Sequence, residues 1–204
     1  LRHLGSDNNL QIMQETYLYL KKKGVDFIFE SSVVNFHKHE SEFVCHIINK
    51  KSINFTLTLN SKYLILAPGR VGMSWFENQA KNHGLLLAKN QIDIGVRVEV
   101  PEYIGKDLDK VLYEPKLVWR TPKTDMKCRT FCYNQNGFVV QESIKTGEEE
   151  IVTVNGHSNS KNGERSLNNN FALLVSSVFT EPFNEPTLFG KSVAKITNLL
   201  GNGI

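Results

Sequence analysis

Tyr63-Leu64-Ile65-Leu66-Ala67-Pro68-Gly69-Arg70 is an apolar run of strand length that stops at Ala-x-Gly. The spacing predicts a strand followed by a turn that exposes bare backbone, a ledge that a nucleotide can approach closely. A complete dinucleotide site of this type also needs a G-x-G-x-x-G turn, where small residues bring backbone amides against a pyrophosphate at a helix N-terminus. No such glycine spacing occurs in the 204 residues.

Upstream of that run, Leu10, Met13, Tyr17 and Leu20 follow helical spacing. Ser6 or Asp7 is placed to cap the helix, and Gly24 to end it in the left-handed conformation. Lys21-Lys22-Lys23, the only tight cationic cluster, suits the last helical turn, where positive charge complements the macrodipole. Val25-Asp26-Phe27-Ile28-Phe29 then reads as a strand. Three more β-rich runs follow, Val33 to Phe36, Phe43 to Ile48 and Ile53 to Leu59, with Asn49-Lys50-Lys51-Ser52 as the turn of a hairpin between the last two. The order predicts a small antiparallel flap inserted before a final parallel strand, Tyr63 to Leu66. Trp75 to Asn82 reads as a helix ending near Gly84.

From Ile92 the pattern becomes mostly strand. Ile92 to Val100, Lys116 to Thr121, Cys128 to Tyr133, Phe138 to Glu142, Ile151 to Val154 and Phe171 to Val178 are separated by polar or Pro/Gly-bearing turns. Asn136-Gly137 is a strong hairpin signal between two of them. Lys145 to Glu150 is a charged turn, and Leu188 to Leu200 a closing helix stopped by Gly201. The expected fold class is α/β plus α+β. Residues 1–90 form a partial Rossmann-like, FAD/NAD(P)-binding type of unit with an inserted hairpin, and residues 91–204 a β-rich substrate or cap domain.

Composition excludes several classes of function. A net charge of +3 is compatible with an anionic ligand but supplies no concentrated basic stripe, so nucleic acid is not the expected partner. No window approaches the run of about 20 apolar residues that spans a bilayer, and no secretory signal opens the chain, so no membrane partner is expected. Cys45, Cys128 and Cys132 form no C-x-x-C pair, and reduced thiols in a cytoplasmic protein are the default.

Leu66-Ala67-Pro68-Gly69-Arg70-Val71-Gly72, followed by Trp75-Phe76, resembles the second FAD motif of the FAD-dependent dehydrogenase group, relatives of the glutathione-reductase-like flavoproteins. Arg2-His3-Leu4-Gly5-Ser6-Asp7 resembles a polar motif before a helix in that group, and Ile94-Gly95-Val96-Arg97-Val98-Glu99 its Gly-x-Arg-x-Glu strand. Phe131 to Val140 is similar to an F-C-x-x-x-x-G-x-V-V hairpin. Asn155-Gly156-His157-Ser158, with Arg165 and Asn168 to Asn170 downstream, is similar to an N-G-x-S…R…N segment.

The resemblance implies an internal fragment of an FAD-dependent oxidoreductase, an expectation that a chain opening on Leu1 rather than Met also suggests. FAD would be bound in the full-length protein, with Val33 backbone near adenine and Ala67, Pro68, Gly69 and Arg70 at the second motif. Pro68 replaces the Thr of the commoner A-T-G form. Without the glycine turn, this fragment is expected to carry no tightly bound FAD and to be inactive alone. Arg97, Cys132, Gly137, Asn155, Gly156, Ser158 and Arg165 are the implied substrate or flavin pocket. A nicotinamide donor is a candidate partner, and the small-molecule substrate is left unnamed because fold analogy does not supply it.

Each of these residues also has a plainer use. Gly69 can serve only a turn, and Val33 can be an ordinary strand residue. Arg97, in an apolar strand, needs an anionic partner, either Glu99 on the same strand face or a ligand. Cys132 beside a flavin could exchange electrons, but a buried cysteine is ordinarily an inert small hydrophobe. His37, His39, Cys45 and His46 lack metal-ligand spacing, so no metal is expected. His157 is best read as a loop histidine. The competing functions are an RNA-binding or assembly protein, for which Tyr133 and Phe138 are the aromatic candidates, and a non-enzymatic ligand-binding module.

Overall fold

The computed structural model describes residues 4–49, 51, 56–88, 91–146, 149–160, 162–179 and 185–201. The chain divides into two compact units, one built from residues 16–88 and the other from residues 1–15 with 89–204. The first fifteen residues therefore join the C-terminal part, where the sequence had placed a single boundary near residue 90. The fold is mixed α/β, and every strand pairing among the described residues is antiparallel.

In the unit of residues 16–88, β1 (Ser31–His39), β2 (Glu42–Asn49) and β3 (Thr56–Ser61) form a three-stranded meander in that order. The expected pairing of the second and third runs is present, although residues 50 and 52–55 of the turn and strand start lie outside the described residues. Cys45 and Ile47 are buried in this sheet. A bulge between Val33 and Asn35 turns out the Val34 carbonyl, which accepts hydrogen bonds from Trp75 Nε1 at 2.9 Å and Gln79 Nε2 at 3.3 Å. Those donors come from α2 (Met73–Asn82), and Phe36 stacks on His83 just beyond that helix with ring centroids 4.4 Å apart.

Two expected strands of this unit carry no ladder among the described residues: Val25 to Phe29, and Tyr63 to Leu66. Val25 to Phe29 are exposed throughout, with Phe27 and Phe29 stacked on each other and meeting Tyr17 of α1 (Asn9–Lys22). Only the second run keeps strand periodicity. Tyr63 and Ile65 are exposed, while Leu64 and Leu66 are half-buried. The final parallel strand is thus corrected to an unpaired run. Propensity and alternation make a segment suitable for a sheet, but a ladder needs a neighbour, and none of the described residues provides one. Lys21 and Lys22 do fall in the last turn of α1, and Gly24 ends it at φ 85°.

In the other unit, β4 (Ile92–Pro101), β5 (Val118–Arg120), β6 (Lys127–Asn134) and β9 (Asn168–Ser177) make a sheet of order β4-β9-β6-β5. β7 (Phe138–Thr146) and β8 (Glu149–His157) form a separate hairpin. The Asn136-Gly137 hairpin between β6 and β7 is therefore corrected: the turn exists, with Asn136 at φ 48°, but its two strands join different sheets. The charged segment at residues 145–150 is the tip of the β7–β8 hairpin, with residues 147 and 148 outside the described set. α4 (Pro186–Leu200) packs on β8, where Asn198 accepts from the Val152 amide at 2.9 Å and donates to its carbonyl at 2.8 Å, extending the hairpin like one further strand residue. α3 (Glu102–Asp109) follows β4 directly and was not expected from the sequence.

Candidate functional site

The candidate site grows from a defect in β6. Its register against β9 shifts between Phe131, opposite Ala172, and Asn134, opposite Asn170, so one extra residue is accommodated. Cys132 sits in that bulge at φ 50°, a left-handed conformation that costs a non-glycine residue roughly 1 kcal/mol or more. What holds it is its own carbonyl, which accepts from Asn134 Nδ2 at 2.8 Å and from Arg97 Nη1 at 3.2 Å.

Those donors belong to a buried polar cluster. Arg97 Nη1 also donates to Asn170 Oδ1 at 2.8 Å, and Asn134 Nδ2 donates to the same oxygen at 3.2 Å. Two donors on one oxygen fix which way the Asn170 amide points. Ser158 Oγ donates to Asn134 Oδ1 at 2.7 Å. Asn134 is 4% exposed and Asn170 0%, so the hydrogen bonds within the cluster replace those that water would otherwise supply. Gly156 of β8 closes the cluster: a Cβ there would overlap Asn134 Nδ2, Arg97 Nη1 and Asn170 Oδ1.

Electrostatically the cluster is incomplete. Both hydrogen bonds of Arg97 Nη1 go to neutral oxygens. Arg97 Nε and Asn170 Nδ2 are buried with no hydrogen-bond partner among the described residues. A half-buried guanidinium whose contacts are neutral keeps its charge unneutralised, so the cluster is suited to meet an acceptor-rich, anionic group.

On the opposite face of β9, the neighbouring Asn169 organises a second set of groups. Asn169 Nδ2 donates to Asp109 Oδ2 at 2.7 Å and to Tyr133 Oη at 2.9 Å, and its Oδ1 accepts from the Asn136 amide at 2.9 Å. Burial, then the hydrogen bond and negative charge of Asp109, push the Tyr133 phenol up to about 12, against a smaller opposing effect of Asn169. A phenol so held is a hydrogen-bonding group and not an acid at neutral pH. At 8% exposed, Tyr133 also has no face to offer a stacked base.

Of the residues singled out in the sequence, Arg97, Cys132, Gly156 and Ser158 meet through Asn134 and Asn170. Gly137 lies beside them, since a Cβ there would come within 2.7 Å of Asn134 Cβ and 3.2 Å of Asn170 Nδ2. Asn155 instead accepts from the Gly156 amide, 2.8 Å away. Arg165 is exposed and makes none of the cluster's hydrogen bonds. Glu99 accepts from Asn168 Nδ2 at 3.2 Å, leaving Arg97 to the asparagines. His157 is the exposed last residue of β8.

Ala67 to Arg70 are all exposed, and Gly69 adopts φ 65° with nothing within 4 Å of a Cβ built there. Val33 pairs with Ile47 and flanks the bulge at Val34. Among the described residues no group of three or more His, Cys, Asp or Glu is placed to hold a metal, and Cys45, whose thiol burial pushes up in pKa, is a core residue. Asn134 and Asp109 were missed as site residues, Asn169 and Asn170 were noted only as part of a motif, and Tyr133 only as an aromatic candidate of the RNA-binding reading. The available signal was the run Asn168-Asn169-Asn170 at a strand start, since asparagine is depleted in strands unless something specific requires it. Arg2 and His3 of the first motif lie outside the described residues. Comparison of the chain with protein-family models, with curated proteins and with solved structures gives no match.

Proposed function

We propose that the chain is part of an FAD-dependent oxidoreductase, in which residues 16–88 contribute to a Rossmann-like nucleotide-binding unit and the Arg97 cluster faces the reacting partner. The observation that carries this proposal is the run Tyr63 to Leu66: a strand-periodic apolar segment without a ladder among the described residues, leading into an exposed turn at Gly69. Ile65 is 90% exposed, so the run calls for neighbouring strands, and the open space at Gly69 leaves its backbone accessible to a nucleotide. Val33 backbone and the Ala67 to Arg70 turn would lie against FAD.

When bound, FAD supplies the electron transfer itself. The chain's own residues bind and orient. Arg97, held by the Cys132 carbonyl and Asn170, offers positive charge to an anionic group of the substrate or cofactor. Cys132 has its thiol directed at the Gly156 carbonyl, 3.9 Å away, and packs as part of the bulge, with no redox role assigned to it.

The test is the absorbance spectrum of the full-length protein, with a flavin band near about 450 nm that bleaches on adding a nicotinamide donor. A full-length protein that is colourless and takes up no FAD overturns the proposal. A flavin that binds but is never reduced would point to a non-enzymatic ligand-binding module.

A further inference from the structure

We propose that His37 and His46, on one face of the β1–β2–β3 meander, form a two-histidine site for a transition-metal ion of the zinc class. The site is a product of strand register. His46 of β2 stands directly opposite Asn35 of β1 on one side and Thr58 of β3 on the other, and His37 lies two residues beyond Asn35. Directly opposed residues share a face, and so do alternate residues along a strand, so His37, His46 and Thr58 project from the same side of the sheet. Phe36, next to His37, projects from the other side and stacks on His83 just beyond α2. Linear spacing hides the pair, because the β1–β2 turn separates the two histidines.

Ring geometry is the reason to expect an ion. The ring centres of His37 and His46 are 5.4 Å apart, with their planes inclined by 24°. A zinc ion held at about 2.1 Å by one nitrogen of each imidazole lies roughly 3.2 Å from each ring centre, and a tetrahedral angle then sets the centres about 5.2 Å apart. The observed separation suits two ligands of one coordination sphere, and it is wider than the 4.4 Å of the Phe36–His83 stack on the other face. Rotation about χ2, a soft torsion for an imidazole, turns a nitrogen of each ring toward the space between them.

Thr58 supports the pair from β3. Its hydroxyl lies 3.4 Å from His46 Nδ1, so a proton kept on Nδ1 leaves the Nε2 lone pair for an ion. His37 is exposed and His46 half-buried, which gives an ion a path to the two rings from solvent. The donor set selects the class of ion. Imidazole nitrogen suits zinc, nickel and copper, whereas magnesium and calcium require oxygen. With two protein ligands, water fills the remaining positions, so binding is reversible and weaker than at a closed four-ligand structural site.

The experiment is isothermal titration calorimetry of the full chain with zinc chloride, alongside magnesium chloride. Zinc should bind saturably and magnesium should give no binding heat. His37→Gln and His46→Gln should each weaken zinc binding by about tenfold or more, and Thr58→Val, which frees the His46 ring, by several-fold. His157→Gln, in the other unit, should leave it unchanged. His37 is exposed, so folding is not at stake there, and the unfolding midpoint of His37→Gln without zinc should match that of the parent. Zinc held by thiols elsewhere would survive that substitution, which makes His37→Gln the deciding variant. Absence of saturable zinc binding, an equal response to magnesium, or a His37→Gln variant that binds zinc as well as the parent would each overturn the assignment.

Discussion

Asn169 and Asn170 stand side by side on β9, both fully buried, and each organises a different constellation. Buried polar groups stabilise only through the hydrogen bonds they keep, so small substitutions that displace those bonds should be costly. Gly156→Ala places a methyl group onto Asn134, Arg97 and Asn170 together, so the hydrogen bonds that these three share must shift to admit it. The expected loss is about 1–3 kcal/mol in denaturant unfolding, well beyond an ordinary strand Gly→Ala change. An unchanged midpoint would mean that the cluster is looser than its hydrogen bonds imply. Tyr133 gives a pH signature. Its phenol pKa is raised from 10.0 to about 12, so the stability it contributes is complete below pH 10 and is lost as pH rises through about 12. A tyrosinate absorbance titration should therefore show a phase near pH 12 that Tyr133→Phe abolishes. A titration curve that Tyr133→Phe leaves unchanged near pH 12 would remove Tyr133 from its assigned setting.

At the scale of elements, Asp7 shows how far local sequence could be read. It was a reasonable helix cap, yet the 3-10 turn Ser6–Asn8 has no side-chain cap, and the Asp7 carboxylate instead accepts from the Ser160 amide and hydroxyl, each 2.7 Å away. The Ser6 amide donates to the Ser158 carbonyl at 2.8 Å, completing a clasp between the start of the chain and the segment after β8. The Ser160 hydroxyl, and then its amide, lower the Asp7 pKa below its ordinary value of 3.8. The clasp therefore contributes stability above that ordinary value and loses it as pH falls through the lowered one. Asp7→Ala should reduce the denaturation midpoint at pH 7 and make little difference in strong acid. Equal effects at both pH values would argue that the carboxylate charge is irrelevant. Helices and strands with clear periodicity were legible from sequence because 3.6- and 2-residue patterns are local. α3 was not, since Gly105 interrupts its helical propensity for a reason visible only in three dimensions, the proximity of Tyr133 and Asn169. The partition of β6 and β7 into different sheets was equally hidden: Asn136-Gly137 encodes a turn, while the bulge at Cys132 and the long-range pairing with β9 decide where each strand goes. Arg97, Cys132, Gly156 and Ser158 could be named from their motifs, but the asparagines that join them are separated by 36 residues and carry no local spacing rule.

At the scale of the whole molecule, the apolar surface is unusual in where it lies. Single exposed hydrophobic residues are ordinary, but Val25 to Phe29 and the strand-periodic Tyr63 to Leu66 are runs with several exposed apolar side chains and, among the described residues, no ladder. Backbone without a ladder beside exposed apolar side chains is a template for further strands. If no other strand covers it, residues 1–204 should self-associate as concentration rises, measured by sedimentation velocity. Ile65→Lys tests this directly, because Ile65 is 90% exposed and its replacement removes no buried contact. Thermal stability should change by less than about 0.5 kcal/mol, as for an ordinary surface substitution, while a charge on the exposed run shifts the distribution toward monomer. Wild-type protein that stays monomeric throughout would show that exposure at this run is tolerated without pairing. A loss of more than about 1 kcal/mol in the Lys variant would show instead that Ile65 is already packed, and the case for missing neighbours beside Tyr63 to Leu66 would fall with it.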